Sequence, residues 1–350
     1  MKIVSNILLA VASISILYSQ QEELGCMNDD IYSTLYCDDV DIYENVATSA
    51  ANWLNIETGT AAIGMAGAHT SIGKGISSTP YNPANLSSMP NNELFFSKSY
   101  YLVGISHNVL GYSRRLSKSD VVGFHLFYLS SGDIEETTYL FPMGTDKFFT
   151  VQNYNFSLVY SRQIIKNLQL GTNLKYIREE IASTFMHSVA MDLGLKFNMS
   201  RIIQLGLSFN HIGPKVQFQG PGLEIFVDDD VDISGSVGKS VSQFKLPFTI
   251  RFGVATDLFG KKGILKSRSH QLTVAQDLIK SNDYKLMSST GIEYSWRKFA
   301  FLRSGVHLNH DTALLSLGAG IHWKRFEINY AFVNYQILDA THQFGLSFAF

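Results

Sequence analysis

Few residues in this sequence are grouped in ways that could do chemistry. His307, His310 and Asp311 put two imidazoles and a carboxylate close together, the donor types that zinc takes. No obvious fourth ligand accompanies them, and the surrounding pattern places them at a hairpin tip, so a solvated loop is the better reading. Asp228, Asp229, Asp230 and Asp232 are oxygen donors suited to Ca²⁺, but the glycine and distal glutamate of an EF-hand loop are missing. A charged outer loop explains them more simply. Gly67 through Lys74 has the outline of a phosphate loop, yet the glycine spacing is wrong and Gly75 stands where Ser or Thr is required. Serines and histidines are scattered without a paired nucleophile and base, so no catalytic residue, metal site or cofactor is expected. Cys26 and Cys37, the two cysteines of the chain, suit one local disulfide in an oxidising compartment. Cys26 also follows Gly25 as a lipoprotein acceptor would, but residues 20–23 separate it from the apolar segment that a lipobox abuts.

The elements that would position these groups follow from composition and pattern. Charged residues are 17% of the chain, against roughly 25% in a typical soluble protein. Lys plus Arg number 28 and Asp plus Glu 30, a net charge of −2, so the footprint of a nucleic-acid binder is absent. A mean hydropathy of +0.04 is too polar for a bundle of membrane helices. After the first 20 residues no stretch holds the ~18 uncharged apolar residues that a membrane helix needs. Those first residues read as a secretory signal peptide over 1–20, with Lys2, an apolar run from Ile7 to Leu17, and Ser19 near the cleavage point. Residues 21–50 read as an acidic periplasmic leader.

Period-two alternation dominates the rest. Tyr154, Phe156, Leu158 and Tyr160 alternate with mostly Asn and Ser, and Val189, Met191, Leu193 and Leu195 with polar or small residues. The polar side is mostly Gly, Ser, Asn and Gln, small groups suited to a wet lumen, while Tyr and Trp recur at the ends of the apolar side. This is the pattern of a membrane β-barrel with aromatic girdles. The fold class expected is all-β: a transmembrane antiparallel barrel of about fourteen strands over 92–350, preceded by a small N-terminal plug over 51–91. Tight connections near residues 198–201, 297–298 and 324–325 face the periplasm. Long ones over 130–150 and 212–245 face outward. The connection over 257–269 is long for a periplasmic turn, and the hairpin near Gly104 is short for an outer one. Phe348 and Phe350 lie in the terminal strand that must close the barrel, because an unpaired edge in lipid is costly.

The plug region carries a resemblance. Gly64-Met65-Ala66-Gly67-Ala68 and Tyr81-Asn82-Pro83-Ala84-Asn85-Leu86 resemble the two opening motifs of the PorV/PorQ family of outer-membrane proteins, relatives of the FadL-type transporters. Gly132 to Thr138, Pro142 to Thr145 and Leu174 to Ile181 extend the likeness, which runs from about residue 52 to the end. Gly73-Lys74-Gly75 departs from the family's acidic pair, and Asn85-Leu86 from its Gly-Leu. The resemblance implies a fourteen-stranded barrel in the bacterial outer membrane, with Gly64, Met65, Gly67, Asn82, Pro83 and Ala84 forming the plug motif. It also implies a role in type IX-like secretion, with secreted cargo or secretion-system subunits as partners besides outer-membrane lipid.

Two functions therefore compete. A secretion platform would bind protein through outer loops, with Gly220, Pro221, Phe226 and Asp229 as candidate contacts. A FadL-like channel would pass a hydrophobic small molecule and needs an apolar pocket where plug meets barrel, for which Ile63, Met65 and Ile76 are candidates. The family resemblance favours the platform.

Overall fold

The computed structural model describes residues 48–89, 92–227, 235–238, 241–261, 263–310 and 312–350. The signal peptide, Cys26, Cys37, Asp228–Asp230, Asp232 and Asp311 lie outside the described residues.

Alternating apolar and polar residues with β-branched and aromatic enrichment build strands, and in lipid strands must close on themselves. Fourteen do so here: β1 Glu93–Tyr100, β2 Ser106–Arg115, β3 Asp120–Ser130, β4 Val151–Ile165, β5 Leu168–Ile181, β6 Thr184–Phe197, β7 Ile203–Ile212, β8 Thr249–Gly260, β9 His270–Ser281, β10 Leu286–Trp296, β11 Ala300–Leu308, β12 Leu315–Trp323, β13 Phe326–Asn334 and β14 Ala340–Ala349. Each pairs antiparallel with the next, and β14 pairs with β1 from Ala349↔Glu93 to His342↔Tyr100. No barrel strand is left with an open edge. The Phe350 N–H, just past β14, donates to the Asn92 carbonyl at 3.1 Å, and its ring packs on Tyr112 and Phe348.

The burial alternation is that of a membrane barrel. On β6, Val189, Met191 and Leu193 are exposed outward, while Ser188, Asp192, Gly194 and Lys196 are buried inward. Trp296, Trp323, Phe326 and Phe350 stay exposed at the end where the connections are short, forming an aromatic band. Both barrel termini lie at that end, which matches the periplasmic end of outer-membrane barrels with their short turns. The long connections 131–150 and 213–248 lie at the other. The two awkward joints are accommodated locally. Leu102–Gly104 makes one tight turn between β1 and β2, and Leu265–Lys266 adds a short parallel pairing to Phe259–Gly260 within the 261–269 connection.

The inward face is not a wet lumen. Residues 49–89 fill it with short helical pieces: Asn52–Asn55, Thr60–Ile63, Ile76–Ser78 and Pro83–Ser88. Ser49 bridges Lys245 near the outer end, and the segment leads into β1 at the periplasmic end, so the plug threads the barrel lengthwise. An epitope tag inserted at Tyr139 is expected to be labelled on intact cells and one at Arg297 only after permeabilisation. Labelling of Arg297 on intact cells would reverse this topology.

Candidate functional site

The plug is seated by an absence of side chains on the wall. Inward positions carry glycine where the plug passes, and a Cβ there would collide with it. At Gly171 it would lie 2.3 Å from the Pro83 carbonyl carbon, at Gly206 2.4 Å from the Thr70 oxygen, and at Gly305 2.3 Å from the Met65 carbonyl carbon. Gly194 faces Asn82, and Gly318 faces Gly64, Cα against Cα. Wall side chains then bond to plug backbone. Asp277 accepts from His69 and Thr70 N–H at 3.0 and 2.9 Å, Glu93 accepts from Ile76 N–H at 2.9 Å, and Lys196 donates to the Gly73 carbonyl at 2.8 Å. Gln343 donates to the Thr58 carbonyl at 2.6 Å.

The plug motif residues occupy distinct places. Asn82 caps the turn that starts at Pro83, accepting from Ala84 N–H, and donates to the Thr70 and Leu195 carbonyls. Ala84 and Met65 are fully buried. Gly67, at φ 72°, faces Glu57 rather than the wall, the Glu57 carboxylate oxygen lying 1.8 Å from where its Cβ would be.

A cavity of about 500 Å³ lies over the outer face of the plug. Ile56, Ile63, Ile279, Met287, Ala331 and Val333 give it an apolar body, and Glu57 and Arg251 give it a polar corner. Of the three residues expected to line such a pocket, only Ile63 does so. Met65 and Ile76 are wholly enclosed, packed into the glycine seats of β10 and β11 and of β2 and β3. At the mouth, rings from four segments form an arc. Tyr101 lies 6.0 Å from His107 and 5.8 Å from Tyr335, His310 lies 6.5 Å from Tyr335, and His307 lies 5.3 Å from His310. His307 and His310 are thus part of the cavity wall rather than a solvated tip. The His310 Nδ1 accepts from the Thr312 and Ala313 N–H groups, and no group of three metal-binding side chains forms among the described residues.

A second cavity of about 300 Å³ lies beneath the plug, where Glu93, Asp257, Glu293, Arg303, Arg325 and Glu327 line it together with apolar Ile72, Phe95 and Phe301. Arg303 donates to Glu293 at 2.7 Å and to Asn329 at 2.6 Å. Ile63 lines the upper cavity and Ala61 the lower, so the single helical turn Thr60–Ile63 divides them. Gly220 and Pro221 line neither cavity. Gly220 and Pro221 open a short turn packed over Ser183, Phe226 belongs to a small hairpin pairing 224–227 with 235–238, and Asp229 lies outside the described residues.

Sequence reading passed over Glu57, Arg251, Tyr101 and Tyr335. The available signal was weak: Arg251 is a lone inward cation between the outward Ile250 and Phe252. Enclosure raises the Glu57 carboxyl from its ordinary 4.5 to about 7, with Arg251 pulling it down and Asp277 pushing it further up.

No protein-family model and no curated protein matches this sequence. Solved structures match the fold. The chain is similar to CymD, a monoaromatic hydrocarbon channel, at TM-score 0.55 and 12% identity over 84% of this chain and 97% of that one. It is similar to the Pseudomonas putida toluene transporter TodX at TM-score 0.57 and 14% identity, over 84% and 98%. A Pseudomonas aeruginosa FadL homologue matches at TM-score 0.51 and 12% identity, over 83% and 97%. These likenesses are in fold: an antiparallel β-barrel of fourteen strands, filled here by residues 49–89. That fold is similar to those of CymD, TodX and the FadL homologue.

Gly171→Leu is expected to lower the temperature at which the folded barrel converts to its unfolded gel mobility, with a cost of roughly 1–3 kcal/mol from overpacking against Pro83. Leu170→Val, on the outward face, is expected to leave it nearly unchanged. For Glu57 the folded chain holds an extra proton between pH 4.5 and about 7. Its burial therefore penalises the fold above pH 7, and the penalty is relieved as pH falls toward 4.5. Glu57→Gln is expected to raise the melting temperature at pH 8 and to shrink the difference between pH 8 and pH 5, read by circular dichroism.

Proposed function

We propose that this barrel is a channel for hydrophobic small molecules. The observation that carries the reading is the apolar, ring-rimmed cavity of about 500 Å³ directly over the plug, within the size range of ligand pockets. The fold likeness supports it, since CymD and TodX are described as a monoaromatic hydrocarbon channel and a toluene transporter. A ligand would enter past the arc of Tyr101, His107, His307, His310 and Tyr335, lose water against Ile63, Met287 and Val333, and pass inward when the plug around Thr60–Ile63 shifts. Hydrophobic transfer drives the first step at roughly 25 cal/mol per Å² of apolar surface buried.

The PorV/PorQ assignment and the secretion platform rest on the sequence resemblance alone. The cavity and the structural likenesses favour the channel instead.

The test is uptake of toluene by cells or proteoliposomes carrying the barrel. Ala331→Trp, which fills the cavity from the wall, is expected to cut uptake severalfold while the barrel still folds. Deleting residues 220–232 is expected to leave uptake intact. Normal uptake in the filled variant, with protein display lost in the loop deletion, would favour the platform and sink the channel.

A further inference from the structure

The polar corner of the outer cavity has a shape and a chemistry that a plain hydrocarbon does not use. Asn55, Ile56, Glu57, Thr249 and Arg251 line the main cavity and also bound a side crevice of about 10 Å³. That is about the space that a single water-sized probe occupies. Arg251 is only 8% exposed, and its Nη1 has no hydrogen-bond partner. Its guanidinium carbon sits 5.2 Å from the centre of the Tyr81 ring. Glu57 makes no hydrogen bond among the described residues and closes no ion pair with Arg251 within 4.0 Å. The two are still near enough for Arg251 to draw the Glu57 carboxyl downward against the effect of burial. Arg251 Nη1 and the Tyr81 and Thr58 hydroxyls, buried without partners, thus flank with the half-buried Glu57 carboxyl a crevice that opens from an apolar chamber.

Leaving such groups unpaired costs free energy, so the corner is suited to a ligand atom that serves both Arg251 and Glu57. An anionic head would meet the Arg251 donor but would face the Glu57 carboxylate, and it is larger than the crevice. A cationic head would be repelled by Arg251. A neutral hydroxyl fits. Its oxygen accepts from Arg251 Nη1 and its hydrogen is donated to Glu57. If Glu57 is protonated, the hydroxyl accepts from both.

Resting on the channel reading above, we infer that the cavity takes neutral hydroxylated ligands, phenols above all, whose oxygen bridges Arg251 and Glu57. The ring then lies against Ile63, Met287 and Val333, beneath the aromatic rim. A hydrocarbon of the same shape would leave the crevice to water or leave both groups unpaired, and a site that hydrogen-bonds a hydroxyl discriminates against analogues lacking one.

The experiment is calorimetric titration of the folded full-length barrel with p-cresol and with p-xylene, which differ by a hydroxyl in place of a methyl. p-Cresol is expected to bind at least tenfold more tightly. Arg251→Met is expected to erase that ratio with little change for p-xylene, and Arg251→Lys, which keeps a donor, to restore part of it. Heat-modifiable mobility confirms that each variant is folded. Saturable binding of both ligands at equal affinity to the unmodified barrel would overturn the hydroxyl inference and leave the channel reading standing. A tenfold preference that survives in Arg251→Met would also overturn it. Binding of neither ligand would overturn both readings.

Discussion

Everything in this structure depends on how closely the plug backbone can approach the barrel wall. A fourteen-stranded sheet encloses more space than its own inward side chains fill, and residues 49–89 occupy the difference. They can do so only because the wall withdraws to bare Cα atoms at Gly171, Gly194, Gly206, Gly305 and Gly318. Dispersion falls steeply with separation, so contact at backbone distance gives dense packing without an apolar core of the usual kind. The glycines act here through their missing side chains, at positions where strand propensity alone would disfavour them.

Close approach also brings backbone polar groups out of water, and the wall answers with long polar side chains. Asp277, Glu93, Lys196 and Gln343 each reach a plug amide or carbonyl, from four different strands. Inward polar residues that would be an error in a soluble sheet are here the fastening of a buried loop. The outer cavity survives where this fastening lapses. Around Ile56–Ile63 the strands β9, β10 and β13 present the apolar Ile279, Met287, Ala331 and Val333, and a chamber remains beside the bond from Gln343 to Thr58.

Much of the architecture was legible because the strand repeat is local. Period two, the lengths of the connections and the closing strand are written within windows of ten to fifteen residues, and they predicted a barrel of about fourteen strands. The site was legible only in part. That Met65 and Ile76 are packing while Ile63 faces the chamber depends on which wall residue each one meets. Gly305 and Gly123 lie far away in the chain, and no short window contains both partners. The rim is harder still, since Tyr101 and His107 of the first hairpin meet Tyr335 only across the seam that closes the barrel. Glu57 and Arg251 are single charges without a motif. The outer loops drew attention because their apolar and acidic character is concentrated in sequence, whereas the cavity is assembled from scattered residues.

The glycine seats also constrain how the molecule is assembled. Wall and plug interlock from β2 and β3 around Ile76 to β12 against Gly64, so closing the barrel and seating residues 49–89 are geometrically coupled. The seam between β1 and β14 lies beside the point where the plug joins β1. A sheet that wraps around the plug before the ladder from Glu93↔Ala349 to Tyr100↔His342 pairs would satisfy that coupling. Plug and wall would then mature as one cooperative unit rather than as a pore that is later stoppered.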